Sequence, residues 1–121
     1  MWMWIAPVVV LAAALAAWRL RPRPVAKLTL REGDGPGLEF PLSGRPATIG
    51  SEEGRTVVVS HPRVSGLHAT LSRDDGGRFV LHDRSKRGTK VNGEPVREAV
   101  LESGDLIRLA DSIDLIFTLL R

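Results

Sequence analysis

Two hydrophobic patterns divide the chain. From Trp2 to Trp18 the residues are apolar on every face, WMWIAPVVVLAAALAAW, whereas from Lys27 to Leu120 apolar positions come in short runs separated by turn signals. The first pattern predicts a membrane-spanning helix. It would rise about 25 Å at 1.5 Å per residue, slightly short of the ~30 Å hydrocarbon core, a gap that small tilt and interfacial anchoring close. Trp2, Trp4 and Trp18 stand at its two ends, where indole rings favour the interface, and RLRPRP stops the run abruptly. Pro7 lies near the start, where a helix tolerates proline best. A buried core helix would instead show one apolar stripe. A cleavable signal peptide would carry Lys or Arg ahead of the run, and none is present, although AAALAA offers small residues to a peptidase. The expected organisation is a retained single-pass anchor over residues 1–18 and a basic, proline-containing linker over 19–25, with a domain over 26–121. Arg19, Arg21 and Arg23 follow the span, so the positive-inside rule puts that C-terminal domain in the cytoplasm at the cell membrane.

The second pattern predicts an all-β domain. Apolar residues alternate or run briefly in KLTL, LEFPL, ATI, TVVV, HATLS, RFVLH, TKVN, LIRLA and IDLIFTLL, with GDGPG, DDGG and NGE between them. Nothing after the anchor holds a helical period for three turns. About nine strands at this spacing suggest an antiparallel β-sandwich. The last run is apolar at both parities, Ile113, Leu115, Phe117 and Leu119 against Ile116 and Leu120, as in a strand covered on both faces.

Charge and chemistry narrow the function. The chain has 17 Lys and Arg against 14 Asp and Glu, and the excess of three sits at Arg19, Arg21 and Arg23, leaving the domain neutral. A nucleic-acid partner is therefore not expected. The absence of cysteine removes disulfides and thiolate chemistry. Ser65 and His68, three apart, invite a hydrolase reading with Asp83 as orienting group, but no Gly-x-Ser-x-Gly elbow surrounds Ser65 and the pair reads better as pinning a loop. His61, His68 and His82 are too widely spaced for a compact metal motif, so neither metal nor cofactor is implied. In RSKRGTK, Arg84, Lys86 and Arg87 crowd three cations before a glycine. That loop reads as a solvated turn on its own, or, more sharply, as an anion site.

Together the segments ATIG (47–50), HPRVSGLHA (61–69), FVLHDRSKRGTKVNG (79–93) and LESGDLIRLADSIDLIFTL (101–119) resemble the forkhead-associated (FHA) domain over about residues 26–120. The resemblance implies a β-sandwich that reads phosphothreonine peptides through the loops at one end, and no enzyme. It also implies roles for single residues. Ser65 and Thr89 are kept as contact residues, and Gly50, His68, Gly88, Asn92 and Gly93 as framework. Three contacts differ: Ser51 stands where the family has a phosphate-binding Arg, Gly66 where it has Arg, Lys or Asn, and Arg87 where it has an Asn that holds the peptide backbone. Lys86 and Arg87 on the third loop, with Arg55 and Arg63 nearby, are candidate compensating cations. The expected function is a membrane-anchored protein-protein interaction module with weak, altered or no phosphothreonine dependence. The alternative is a functional phosphothreonine reader in kinase signalling that uses the displaced basic residues.

The apolar run generates a direct expectation. The full-length chain should stay in the membrane fraction after high-salt and alkaline carbonate washes, with Met1 or Trp2 as its N-terminus. Recovery in the supernatant, or a mature terminus near Trp18, would contradict the anchor.

Overall fold

Alternation of period two builds the first strand: in β1 (Ala26–Arg31) Ala26, Leu28 and Leu30 are buried while Lys27 and Thr29 are half-exposed. The computed structural model describes residues 23–31 and 37–120, so the predicted anchor and most of the linker fall outside the described residues. Among those described, no helix is long and apolar enough to cross a membrane. The other strands are β2 (Leu38–Leu42), β3 (Ala47–Gly50), β4 (Val57–Val58), β5 (Ala69–Arg73), β6 (Phe79–Asp83), β7 (Thr89–Val91), β8 (Glu94–Val96), β9 (Glu98–Val100), β10 (Leu106–Leu109) and β11 (Ile113–Leu119). They form two sheets, β2-β1-β11-β10-β7-β8 and β4-β3-β5-β6-β9.

The inward residues of the two sheets make one core. Leu28, Leu115, Phe117, Ile107 and Leu109 come from the first sheet and Ile49, Leu71, Phe79 and Leu81 from the second. Phe117 and Phe79 meet edge-to-face across the layers, with ring centroids 5.2 Å apart and planes at 60°. The Asn92-Gly93 turn closes the β7–β8 hairpin with φ of 52° and 87°, the left-handed pair that a two-residue hairpin requires. Asn92 also receives the Leu106 N–H and donates to Asp105, fixing the hairpin to the start of β10.

Three expectations need correction. Among the described residues there are eleven strands, because EPV and EAV each add a three-residue edge strand. Pro95 hides the first, and a sheet edge tolerates it because no ladder donor is needed on the open side. The sandwich is not wholly antiparallel, since β3 and β4 pair in parallel through Ile49↔Val57 and Gly50↔Val58. Nor is β11 covered on both faces. Leu115 and Phe117 are buried, but Ile116 is only half-buried, and Leu119 and Leu120 are 41% and 46% exposed.

The strand directions put the β3–β4, β4–β5 and β6–β7 loops at one end. The chain enters at the other, where Val25 N–H donates to Leu42 and Leu120 N–H donates to Val25.

Because Phe117 is fully buried and carries the ring contact between the sheets, Phe117→Ala should cost about 3–5 kcal/mol in urea unfolding. A loss under ~1 kcal/mol would show that the core does not close around this ring.

Candidate functional site

His68 occupies the junction of the loops. It is wholly buried, its Nδ1 accepts the Ser65 backbone N–H at 3.1 Å, and its Nε2 lies 3.0 Å from the Gly88 carbonyl. An acceptor at Nδ1 requires the proton on Nε2, so a neutral ring donates to Gly88 and ties the β4–β5 loop to the β6–β7 loop. Burial pushes the imidazole below its ordinary value, outweighing the opposing effects of the Gly88 bond and the Asp83 charge. Backbone bonds continue the junction: His68 N–H donates to Ile49 and Arg84 N–H to the His68 carbonyl.

Gly50 lets the β3–β4 loop approach. A Cβ there would collide with the Gly66 carbonyl oxygen, so only glycine allows this contact between the loops. Past it, Ser51 N–H donates to Ser65 and Ser51 Oγ donates to the Val64 carbonyl at 2.9 Å. The Ser51 hydroxyl is thus a loop staple. Arg55 comes back over the same place, its Nε donating to the Gly66 carbonyl at 2.9 Å and its Nη2 to Glu52 Oε2 at 2.8 Å.

The β6–β7 loop is knotted around Asp83. Its Oδ1 accepts from Ser85 N, from Ser85 Oγ at 2.6 Å and from Thr89 Oγ1 at 2.9 Å, while Ser85 Oγ accepts from Gly88 N. Burial would raise this carboxyl, but the bonds from Ser85 and Thr89 and the nearby His68 hold it below the usual carboxylate range. Gly88 takes a φ of 95°, and its carbonyl also accepts from Ala110 N–H in the β10–β11 turn.

The walls so fixed enclose an open cleft of about 280 Å³ lined by Pro62, Arg63, Val64, Ser65, Gly66, Lys86 and Arg87. Arg63, Lys86 and Arg87 are exposed, and among the described residues none has a carboxylate at ion-pair distance. Ser65 Oγ accepts the Lys86 backbone N–H at 3.2 Å, which leaves its own proton to donate into the cleft. Arg63 contributes to the field at Asp111, whose carboxyl is held low first by its bond to Lys90 and last by Arg63.

The structure therefore brings Ser65, Gly66, Lys86, Arg87 and Arg63 together. Ser51 and Arg55 stand behind them with their polar groups spent on the loops. Thr89, grouped with the contact residues by sequence, is 2% exposed with its hydroxyl on Asp83, so it holds the loop. Asn92 and Gly93 lie at the opposite end of β7. Ser65 is bonded to His68 through its backbone, not its hydroxyl, so the pair lacks the nucleophile-to-base contact of a hydrolase. No group of three metal-ligating side chains occurs among the described residues. Sequence reasoning missed Glu52, Asp83 as the loop's anchor, and Ser85. The one available signal was Ser85 two residues after Asp83, the spacing of an Asx turn.

Protonating His68 would place two donors against each other at Ser65, and the signs follow. Unfolding frees the ring to protonate below about pH 6.5, so its stabilisation is present in full above that value and is lost as pH falls through the lowered folded-state value. The urea midpoint should drop from pH 7.5 to 5.5 more steeply in the native chain than in His68→Gln, which itself should be destabilised by about 2–4 kcal/mol. Equal slopes would remove His68 from the linkage.

Comparison with known proteins agrees with this geometry. The chain is 32% identical over 88 residues to an oxoglutarate dehydrogenase inhibitor of Corynebacterium diphtheriae, covering 73% of this chain and 62% of that one. It is 34% identical over 89 residues to the glycogen accumulation regulator GarA of Mycolicibacterium smegmatis, covering 73% and 56%. It thus spans about three fifths of the length of these two relatives. Among solved structures, a domain from work on phosphothreonine-dependent FHA domain interactions superposes with a TM-score of 0.71 at 30% identity, over 79% of this chain and 97% of that one. The FhaA FHA domain in complex with the intracellular domain of Rv3910 superposes with a TM-score of 0.68 at 31% identity, over 76% and 98%. The FHA domain family model matches residues 47–110, the stretch that holds all three loops, and the chain belongs to that family of phosphothreonine-binding interaction modules.

Proposed function

We propose that the chain is a membrane-anchored FHA interaction module that holds an anionic segment of a protein partner between the β4–β5 and β6–β7 loops, with weak dependence on phosphothreonine. The observation that carries this reading is the fate of position 51. Where a guanidinium would reach a phosphate, Ser51 gives its hydroxyl to the Val64 carbonyl, and the cations of the cleft stand on Arg63, Lys86 and Arg87 instead. Cations on long, solvated side chains attract negative charge but do not reproduce a positioned bidentate fork. A protein partner suits the relatives, which are named as an inhibitor and a regulator, and the FhaA domain, which was solved with a protein segment. The apolar run of residues 2–18 and the arginines after it support a membrane location with the domain in the cytoplasm.

One observation favours a second reading. The Ser65 hydroxyl, which among the described residues donates to no partner, lines the cleft with the same three cations, a set suited to a phosphothreonine site on that wall.

Calorimetry on the full-length chain in detergent micelles separates the two. The ligands are peptides with phosphothreonine, threonine or glutamate at one fixed position and degenerate flanks. Phosphorylation should improve binding by less than about tenfold at physiological salt. Lys86→Ala with Arg87→Ala should weaken both anionic forms by about tenfold. The triple change Ser51→Arg, Gly66→Arg and Arg87→Asn should restore discrimination. Its two added cations are each worth about 1.5–3 kcal/mol, or two to four powers of ten together if additive. A Cβ at position 66 comes within 3.1 Å of Glu52 Oε2, so the exposed Glu52 carboxylate must shift by a few tenths of an ångström to admit the substitution. Tight phosphothreonine-specific binding by the native chain, lost in Arg87→Ala, would establish the second reading instead.

A further inference from the structure

The sequence SEEGR puts two carboxylates next to Ser51, and the fold uses one of them. Glu52 Oε2 lies 2.8 Å from Arg55 Nη2 and 3.1 Å from where a Cβ on Gly66 would be, at the rim of the cationic cleft. Arg55 cannot turn freely toward that cleft. Its Nε is bonded to the Gly66 carbonyl, and its side chain is 24% exposed against 63% for Glu52. The only arginine of the β3–β4 loop is thus held by the backbone on one edge and matched to an internal anion on the other.

We propose that Glu52 is the specificity-determining residue of the cleft, a built-in anion that satisfies Arg55 and turns the site away from dianionic phosphothreonine toward singly charged acidic side chains. The inference rests on the reading of the cleft as an anion site. Its physical basis is charge. A phosphothreonine carries about −1.5 to −2 at neutral pH against −1 for glutamate. A carboxylate at the rim, within the ~8 Å screening length of physiological salt, therefore opposes the phosphate roughly twice as strongly. Satisfying Arg55 internally adds to this, since a charge-assisted bond already made to Glu52 is not on offer to a ligand. Gly66 makes the arrangement fit, because any side chain there would press on the Glu52 carboxylate.

Removing the charge without removing the shape tests this. In Glu52→Gln, the phosphothreonine peptide of the set above should bind about five- to tenfold more tightly and the glutamate peptide about twofold, so the ratio between them shifts. Adding Arg55→Ala should cut the gain to the part that comes from lost repulsion, about fourfold for the phosphothreonine peptide against twofold for glutamate, because the freed guanidinium supplies the rest. Glu53→Gln makes the same change in net charge one residue along, outside the pair, and should leave the ratio where it was. If Glu52→Gln binds both peptides as the native chain does, while Lys86→Ala with Arg87→Ala still weakens binding about tenfold, the role of Glu52 is overturned and the cleft reading stands. If Glu53→Gln reproduces the shift, general electrostatics replaces the specific pair and the proposal fails. If neither the native chain nor Glu52→Gln binds any anionic peptide, the cleft reading falls and takes this inference with it.

Discussion

The recognition end depends on one buried imidazole. The buried His68 satisfies a backbone donor of one loop and a backbone acceptor of another, and few side chains offer a donor and an acceptor on opposite sides of a rigid ring. Breaking the bond at Nδ1 leaves the Ser65 N–H without its partner, a cost of about 1–3 kcal/mol before any packing is lost, whereas the Gly88 carbonyl keeps its bond from Ala110. Beyond the ring, Ser51 and Arg55 bond to the carbonyls of 64 and 66, and the Asp83 knot shapes the segment that ends at Gly88. Ser65, Lys86 and Arg87 face one another because their backbones are fixed in this order. The loops are irregular in outline but satisfied in detail, and among the described residues no buried side-chain polar atom lacks a partner.

Framework and ligand chemistry have separated in this domain. Gly50, Ser65, His68 and Gly88 keep the geometry that brings three loops together. The charges that geometry presents are arranged differently on its two sides. The wall at Ser51 holds the neutral pair of Glu52 and Arg55, whereas the wall at Arg63, Lys86 and Arg87 is cationic and, among the described residues, without an ion pair. A long side chain can change without disturbing the backbone beneath it, which is how a surface drifts in specificity while its scaffold holds. The domain's overall neutrality conceals this local polarity, because acidic residues elsewhere balance it.

How much of this was legible in the sequence follows from range. Strands with a clean period of two, such as KLTL and HATLS, and turns that demand left-handed residues, such as Asn92-Gly93, carry their signal within a few residues. The edge strands around Pro95 and Ala99 do not, since three residues are too few for a pattern and proline argues against one. At the site, the sequence marked the positions that face the cleft but not the use each side chain is put to. Thr89 reads as a contact residue and turns out to be a hydroxyl on Asp83, while Arg55 reads as a spare cation and turns out to be bound twice. Those outcomes depend on partners 3 to 11 residues away, set by loop paths that no local pattern encodes. Arg63 is the contrast: among the described residues it has no ion-pair partner, and it lines the cleft.

The direction of β1 has a mechanical consequence. The strand starts at Ala26, at the end opposite the recognition loops, and runs toward them between β2 and β11, paired along most of its length on both sides. A pull entering through Pro24 and resisted by a partner at the loops acts along the strand. Such a load shears both ladders at once, so their hydrogen bonds must fail together instead of unzipping one by one. A domain built this way can be tugged from its N-terminus and still hold its loops in register, and it transmits tension to whatever those loops have gripped.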